Sequence, residues 1–274
     1  MKKWIKRILF TIFSIFILLI LLFVIIKPRP YYIIKYAVGS QMQWFGYDRE
    51  GNEMIETSIK NLKYFSAAEY HLVSIQNTKN GNYNKAIEYL DKASELQPED
   101  VDGYYGWLLL YYYRDYEKAL FHLNRYDKFT PNFDDYVGDD NILYAKALCY
   151  KQTKQYSKAL EFFDKAIESE LKAHDESWIS HQIYFQKGRT LHLLGNQEKA
   201  IEYYNNTIRL WDKSSEAYYY KGIAQIEHND SIAGSKNLNI ALDLIKKGYK
   251  TSDSYVALFD EVYLMEIEKT IKEL

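Results

Sequence analysis

At 274 residues and 47% apolar side chains, the chain can bury one large core or two small ones, and its composition excludes wholesale disorder. The net charge of −2 hides an asymmetry: residues 1–35 carry seven Lys/Arg and no Asp/Glu, leaving residues 36–274 with 28 Lys/Arg against 37 Asp/Glu. An acidic body argues against nucleic acid, which needs clustered Lys/Arg, and the single cysteine, Cys149, excludes an intrachain disulfide or a CxxC site.

Residues 1–7 form a basic tail holding Lys2, Lys3, Lys6 and Arg7. Ile8 to Ile26 then runs for 19 residues without a charge, glycine or proline, interrupted only by the hydroxyls of Thr11 and Ser14. As a helix this covers about 28 Å, close to the hydrocarbon thickness of a bilayer. The charge bias favours a cytoplasmic N-terminus and a body on the far side. A cleaved signal peptide is the rival reading. Its apolar run is shorter and ends at small residues, whereas Lys27-Pro28-Arg29-Pro30 stands here, which favours an uncleaved anchor.

Residues 27–51 read as a juxtamembrane linker, with Pro28 and Pro30 ending the membrane helix and Tyr31, Tyr32, Trp44, Phe45 and Tyr47 suited to the interface or to packing. Residues 52–66 place Met54, Ile55, Ile59, Leu62 and Phe65 at a helical period and read as an N-terminal capping helix.

A block then recurs. Lys85-Ala86-Ile87, Lys118-Ala119-Leu120, Lys158-Ala159-Leu160 and Lys199-Ala200-Ile201 each follow a polar turn and open an apolar helical pattern, the alanines 33, 40 and 41 residues apart. A fifth block lies around Gly234. Small residues at recurrent positions let paired helices approach closely, aromatics fill the rest, and one such unit cannot bury both its faces alone. In the first block Tyr70, Val73, Ser74, Gly81, Tyr83, Ala86, Leu90, Ala93, Leu96 and Pro98 fall at the spacing of the tetratricopeptide repeat, which this chain resembles. Only Asn77 departs from the usual aromatic. The blocks span residues 67–100, 101–133, 140–171, 181–214 and 215–248; the second is one residue short. Residues 252–274 read as a C-terminal capping helix, with Tyr255, Phe259, Val262, Tyr263, Ile267 and Ile271 facing the array and Asp260, Glu261, Glu266, Glu268 and Lys269 facing water.

The resemblance implies an all-α, right-handed superhelical solenoid of about five helix-turn-helix repeats with capping helices, here behind one N-terminal transmembrane helix. In that family the first helix of each repeat lines a concave face and its fifth position points inward. That register gives His71, Tyr105, Tyr144, Phe185 and Tyr219, with Tyr112, Arg189 and His192 nearby. Such a row suits a protein or peptide partner, since rigid rings offer large contact area at little entropy cost. With 28 tyrosines in the chain, packing between helices is the competing reading. Ile75, Leu109 and Leu148 stand where a clamp for a C-terminal carboxylate would need asparagines, which argues against a chaperone-tail clamp.

Both longer spacings fall between repeats, at 132–141 and 168–176. The first holds Asp134, Asp135, Asp139 and Asp140, the second Glu168, Glu170, Asp175 and Glu176. These acids suit a docking edge or a weak calcium site, or more simply solvate loops, with Asp139 or Asp140 capping the next helix. No GxxxxGK[ST], GxGxxG, GxSxG or HExxH occurs, and no two of His71, His122, His174, His181, His192 and His228 stand at i, i+4. The expectation is a membrane-anchored scaffold without catalysis, metal or cofactor. A glycan-binding module of the envelope is the alternative, and an enzyme with an unrecognised site the third reading.

Overall fold

The computed structural model describes residues 11, 13–20, 28–62, 65–131, 133, 135–173, 175–253 and 256–274. Most of the predicted membrane span, together with Asn132, Asp134, His174 and Tyr255, lies outside them. Among the described residues no helix is long and apolar enough to cross a membrane. Residues 13–20 are helical, and each of their side chains is exposed. The chain divides into two compact units, residues 1–101 and 102–274.

In the first unit α1 (Pro28–Trp44) and α2 (Asp48–Asn61) form an antiparallel pair. This corrects the linker reading of 27–51: proline fixes φ near the helical value and lacks only an N–H that the first turn leaves unbonded anyway, so Pro28 and Pro30 start a helix here. The helices touch where both lack a side chain. A Cβ on Gly39 would lie 2.8 Å from the Gly51 carbonyl oxygen, and one on Gly51 would lie 2.6 Å from that of Gly39. The predicted cap of 52–66 is thus the second arm of this pair, starting four residues earlier and ending at Asn61. The next hairpin is α3 (Ala67–Lys79) and α4 (Tyr83–Leu96). Ser66 and Glu69 close a reciprocal capping box at its entry, the Ser66 N–H donating to the Glu69 carboxylate at 2.7 Å. Ile55, Ile59, Val73 and Tyr89 form the core of this unit, covered by Tyr36, Phe65 and Tyr70.

Helix α5 (Pro98–Leu108) begins in the first unit and continues into the second, where a π-helical turn, Leu109–Tyr113, extends it before α6 (Tyr116–Tyr126). Arg114 closes this wider turn in the left-handed conformation at φ 55°. Further hairpins follow: α7 (Ile142–Gln152) with α8 (Tyr156–Ala173), α9 (His181–Leu193) with α10 (Gln197–Leu210), and α11 (Ser215–Glu227) with α12 (Ser231–Lys246). The block alanines Ala119, Ala159 and Ala200 are completely buried. Phe185, Leu191, Ala200, Tyr204, Ala217 and Ala224 join two hairpins in one core.

Among its described residues the first acidic insertion forms a short hairpin. Tyr136–Val137 (β1) and Asp140–Asn141 (β2) pair antiparallel, and Gly138 lies flat on the Trp107 indole, where a Cβ would meet Nε1 at 2.7 Å. The expected cap is also displaced: Asn141, not Asp139 or Asp140, accepts from the Leu143 N–H at 2.9 Å. The two acidic insertions meet through Glu170. It is buried and accepts from the Tyr136 hydroxyl at 2.6 Å and from Asn141 Nδ2 at 3.0 Å, while Glu176 pairs with Arg209.

The C-terminal expectation is corrected most. Among the described residues of 252–274 only Leu264–Lys272 (α13) is helical; Ile267 and Ile271 pack on α12, but Tyr263 is exposed. Residues 256–263 have no regular structure. Asp260, expected in water, is only 14% exposed at its side chain, because it pairs with Lys151 and Arg189.

Candidate functional site

Helix α9 presents Gln182, Gln186 and Arg189 at i, i+4 and i+7, a spacing that aligns side chains on one face. Each holds the C-terminal segment. Gln182 Nε2 donates to Thr251 Oγ1 at 3.2 Å, Gln186 Nε2 to the Phe259 carbonyl at 3.0 Å, and Arg189 Nε to Asp260 Oδ1 at 3.1 Å. From α7, Lys151 donates to Asp260 Oδ2 and to Gln186 Oε1. Lys151 is only 3% exposed, so its charge is viable there only beside this carboxylate. Burial opposes ionisation of Asp260, but the charges of Lys151 and Arg189 outweigh it and hold the carboxyl below its ordinary value. Burial in turn lowers the Lys151 pKa, with Asp260 opposing.

The preceding residue enters an aromatic cage. The Phe259 ring lies 5.6 Å from Tyr111, 6.1 Å from Tyr116 and 4.3 Å from the Arg114 guanidinium. Arg114 also donates to the Ala257 carbonyl. The π-turn and the left-handed residue closing it therefore supply one wall. Asp260 itself is left-handed at φ 57°, a conformation an L-residue adopts only when its surroundings hold it. Downstream, Val262 is completely buried against Tyr219, Leu238, Ala241 and Ile267. Upstream, buried Glu216 accepts from the Thr251 N–H at 3.0 Å. The segment is thus held by its Ala257 and Phe259 carbonyls, one ring and one carboxylate.

The eight groove residues expected from the register separate. His71 lies in the first unit and the other seven in the second. Arg189 faces the segment directly, and its guanidinium stacks 3.6 Å from the Tyr220 ring. His192 stands behind it, within 3.2 Å of Arg189 Nη1 and of the Tyr204 hydroxyl and 2.8 Å from Glu227. Burial lowers the His192 pKa, with the Glu227 hydrogen bond opposing. Tyr112 packs on Trp107 at 5.8 Å. Tyr144 is buried, its phenol pushed well up by burial and then by the carboxylates of Asp140 and Asp260. Tyr219 donates or accepts at Thr270 of α13 at 3.0 Å.

Tyr105 and Phe185 are not exposed to any groove. Tyr105 packs 4.1 Å from the His122 ring, and Phe185 lies in the core between Tyr204 and Tyr220. An open row of rings is thus replaced by buried rings with polar side chains beside them, because unsolvated aromatic area is better covered by the next helix than left facing water. Lys151, Gln182, Gln186, Arg114 and Tyr111 were missed. The i, i+4, i+7 row on α9 was the available signal. Among the described residues no group of three or more His, Cys, Asp or Glu could hold a metal ion.

Two tetratricopeptide repeat families match, over residues 70–100 and 139–213. A tetratricopeptide repeat-containing protein of Methanocaldococcus jannaschii is 26% identical over 231 residues, covering 70% of this chain but only 39% of that protein. Among solved structures, Pseudomonas aeruginosa pilF superposes with a TM-score of 0.58 at 15% identity, covering 90% of this chain and all of that one. PilW, described as a widely conserved type IV pilus biogenesis factor, superposes at 0.57 and 13% identity, covering 76% of this chain and 91% of that one. The chain carries tetratricopeptide repeats in an all-α fold of that type.

Proposed function

From this premise we propose that the protein is a non-catalytic scaffold that holds an extended segment of a partner protein on the face formed by α7, α9 and the π-turn, and that residues 8–26 anchor it in a membrane with its N-terminus cytoplasmic. The observation that carries the binding reading is the row Gln182, Gln186 and Arg189, which with Lys151 grips an irregular segment through one backbone carbonyl, one hydroxyl and one carboxylate. Side chains that bond a main-chain carbonyl recognise extended chain irrespective of most of its sequence, while the paired cations select an acid. Anchoring supports the same role by confining the face to two dimensions and raising the effective concentration of membrane partners.

The anchor reading rests on the 19-residue apolar run, and the exposed helical side chains of residues 13–20 agree with it. The polar row fits a peptide better than the glycan alternative, whose sugar rings need an exposed aromatic platform.

Crosslinking in intact membranes followed by purification tests the reading. A defined protein partner recovered with the native chain should be lost on combined Gln186→Ala and Arg189→Ala; retention of that partner refutes the face. Deleting residues 8–26 should move the chain out of the membrane fraction. Digestion of the body should need the outer face of that membrane exposed, and cleavage only after the membrane itself is ruptured would overturn the orientation.

A further inference from the structure

The peptide-binding face of the second unit is already filled, and what fills it belongs to the chain. Segment 256–263 has the requirements of a ligand: it forms no helix or strand of its own, its Phe259 ring sits in the Tyr111, Tyr116 and Arg114 cage, and its Asp260 carboxylate is bound by two cations from separate helices. Its attachment is through Phe259, Asp260, the Glu261 pair with Lys250, and Val262, which is buried against Tyr219, Leu238 and Ala241. Ser252 and Asp253 before it and Leu264, Met265 and Glu266 after it are exposed, as are Ala257 and Tyr263 at its own two ends. Asp260 is moreover held in the left-handed conformation. A segment docked through a few side chains between exposed flanks can leave without unstacking the hairpins beneath it.

The vacated site would be costly to leave empty. With the segment in place Lys151 and Arg189 are 2% and 11% exposed at their side chains, and its departure removes the carboxylate both cations share and the carbonyl that Gln186 bonds. The site therefore demands a replacement with the same groups. We propose that residues 256–263 are a built-in occupant of the face, and that the partner binds by displacing them with an extended segment of its own carrying an aromatic residue followed by an aspartate or glutamate. The inference rests on the binding reading above and adds the partner's chemistry and its gate. Charge complementarity decides the acid, the cage decides the ring, and the Gln186 amide requires an intervening carbonyl, which only a peptide supplies at that spacing.

The test uses the full chain in detergent and a fluorescent peptide with the sequence of residues 256–263, VALFDEVY, read by anisotropy. The native chain should bind it weakly. A chain carrying Phe259→Ala and Asp260→Ala, shown folded by its helix content, should bind it at least about tenfold more tightly. The peptide VALFNEVY should lose that gain, as should Arg189→Gln added to the released chain. Equal binding by native and released chains, or equal binding of both peptides, overturns the proposal.

Hydrogen exchange on the native chain gives a second measurement that needs no variant. Excess VALFDEVY should accelerate exchange of the amides of residues 256–263 several-fold, and VALFNEVY should not; unchanged exchange with both overturns the proposal. These outcomes are separate from the fate of the binding reading, which fails instead if capture of a crosslinked partner ignores Gln186→Ala with Arg189→Ala.

Discussion

Arg189 Nε donates to Asp260 Oδ1 at 3.1 Å across 71 positions of sequence, while Lys151 holds the other carboxylate oxygen. One carboxylate thus ties α7 and α9 to the C-terminal segment, and the tie depends on its charge. Burial works against that charge, Lys151 and Arg189 more than offset it, and the folded pKa falls below the ordinary 3.8. A lowered acid contributes stability above its unfolded pKa and loses it as pH falls through the folded value. Docking of residues 256–263 is therefore expected to hold from neutral pH to about 5 and to loosen below about 4. A fluorine label on the Phe259 ring, followed by NMR, should report the release at a pH where helix content is still intact. A resonance that moves only when the helices melt would contradict this.

Asp140 shows the opposite sign. Burial raises its pKa to about 6, with the Tyr111 hydroxyl bond, 2.6 Å long, opposing and Asp139 adding to the rise. An acid with a raised folded pKa binds protons more readily folded than unfolded, so its ionisation destabilises the protein as pH climbs from 3.8 through 6. Asp140→Asn keeps an acceptor for Tyr111 and removes the charge. Relative to the native chain, the variant should gain about 2 kcal/mol more in urea stability at pH 7 than at pH 4.5. An equal difference at both pH values would show that Asp140 titrates normally.

Two adjacent residues on α9 separate core from site. Phe185 is 1% exposed, with Tyr204 at 6.2 Å and Tyr220 at 5.9 Å, whereas Gln186 bonds the Phe259 carbonyl. Phe185→Ala removes a ring that its neighbours cannot refill and should cost about 3 to 5 kcal/mol. Gln186→Ala loses both its bond to the Phe259 carbonyl and an acceptor for the buried Lys151 ammonium, and should cost about 2 to 3 kcal/mol. Urea unfolding of the two variants checks the ordering. A loss below about 1 kcal/mol for Phe185→Ala would put Phe185 at the surface register that the family pattern implies.

How much of this was legible in the sequence depends on the range of the cause. Ala119, Ala159 and Ala200 face their partner helices at zero exposure because close helix packing is a local, repeating requirement, and a repeating requirement leaves a repeating residue. The fate of Asp260 is not local. Its neighbours alone suggest a helix facing water; only the Lys151 ammonium and the Arg189 guanidinium, brought from distant positions, make burial of a carboxylate favourable. Pro28 and Pro30 misled for a third reason, since proline ends one helix and begins another with equal ease. The shortened second repeat was visible as a missing residue, but the π-turn in its first helix and the contact of Arg114 with Phe259 required the fold.

The turn positions of the hairpins yield the last expectation. Gly81 and Gly195 adopt φ of 74° and 78°, and Lys154, in the matching turn between α7 and α8, is forced to 59°. Lys154 is exposed, so no packing compensates for the close approach of its Cβ to the carbonyl. Replacing it with glycine removes that strain, at some cost in unfolded-chain entropy, and should stabilise the protein by about 1 kcal/mol. Arg114 has the same backbone at 55° but also grips Ala257 and Phe259. Arg114→Gly should therefore relieve strain and yet weaken docking of the C-terminal segment. Thermal melting checks the first effect and hydrogen exchange of residues 256–263 the second. If both glycine variants left exchange of that segment unchanged, Arg114 would be a turn residue only and the aromatic cage would lose one wall.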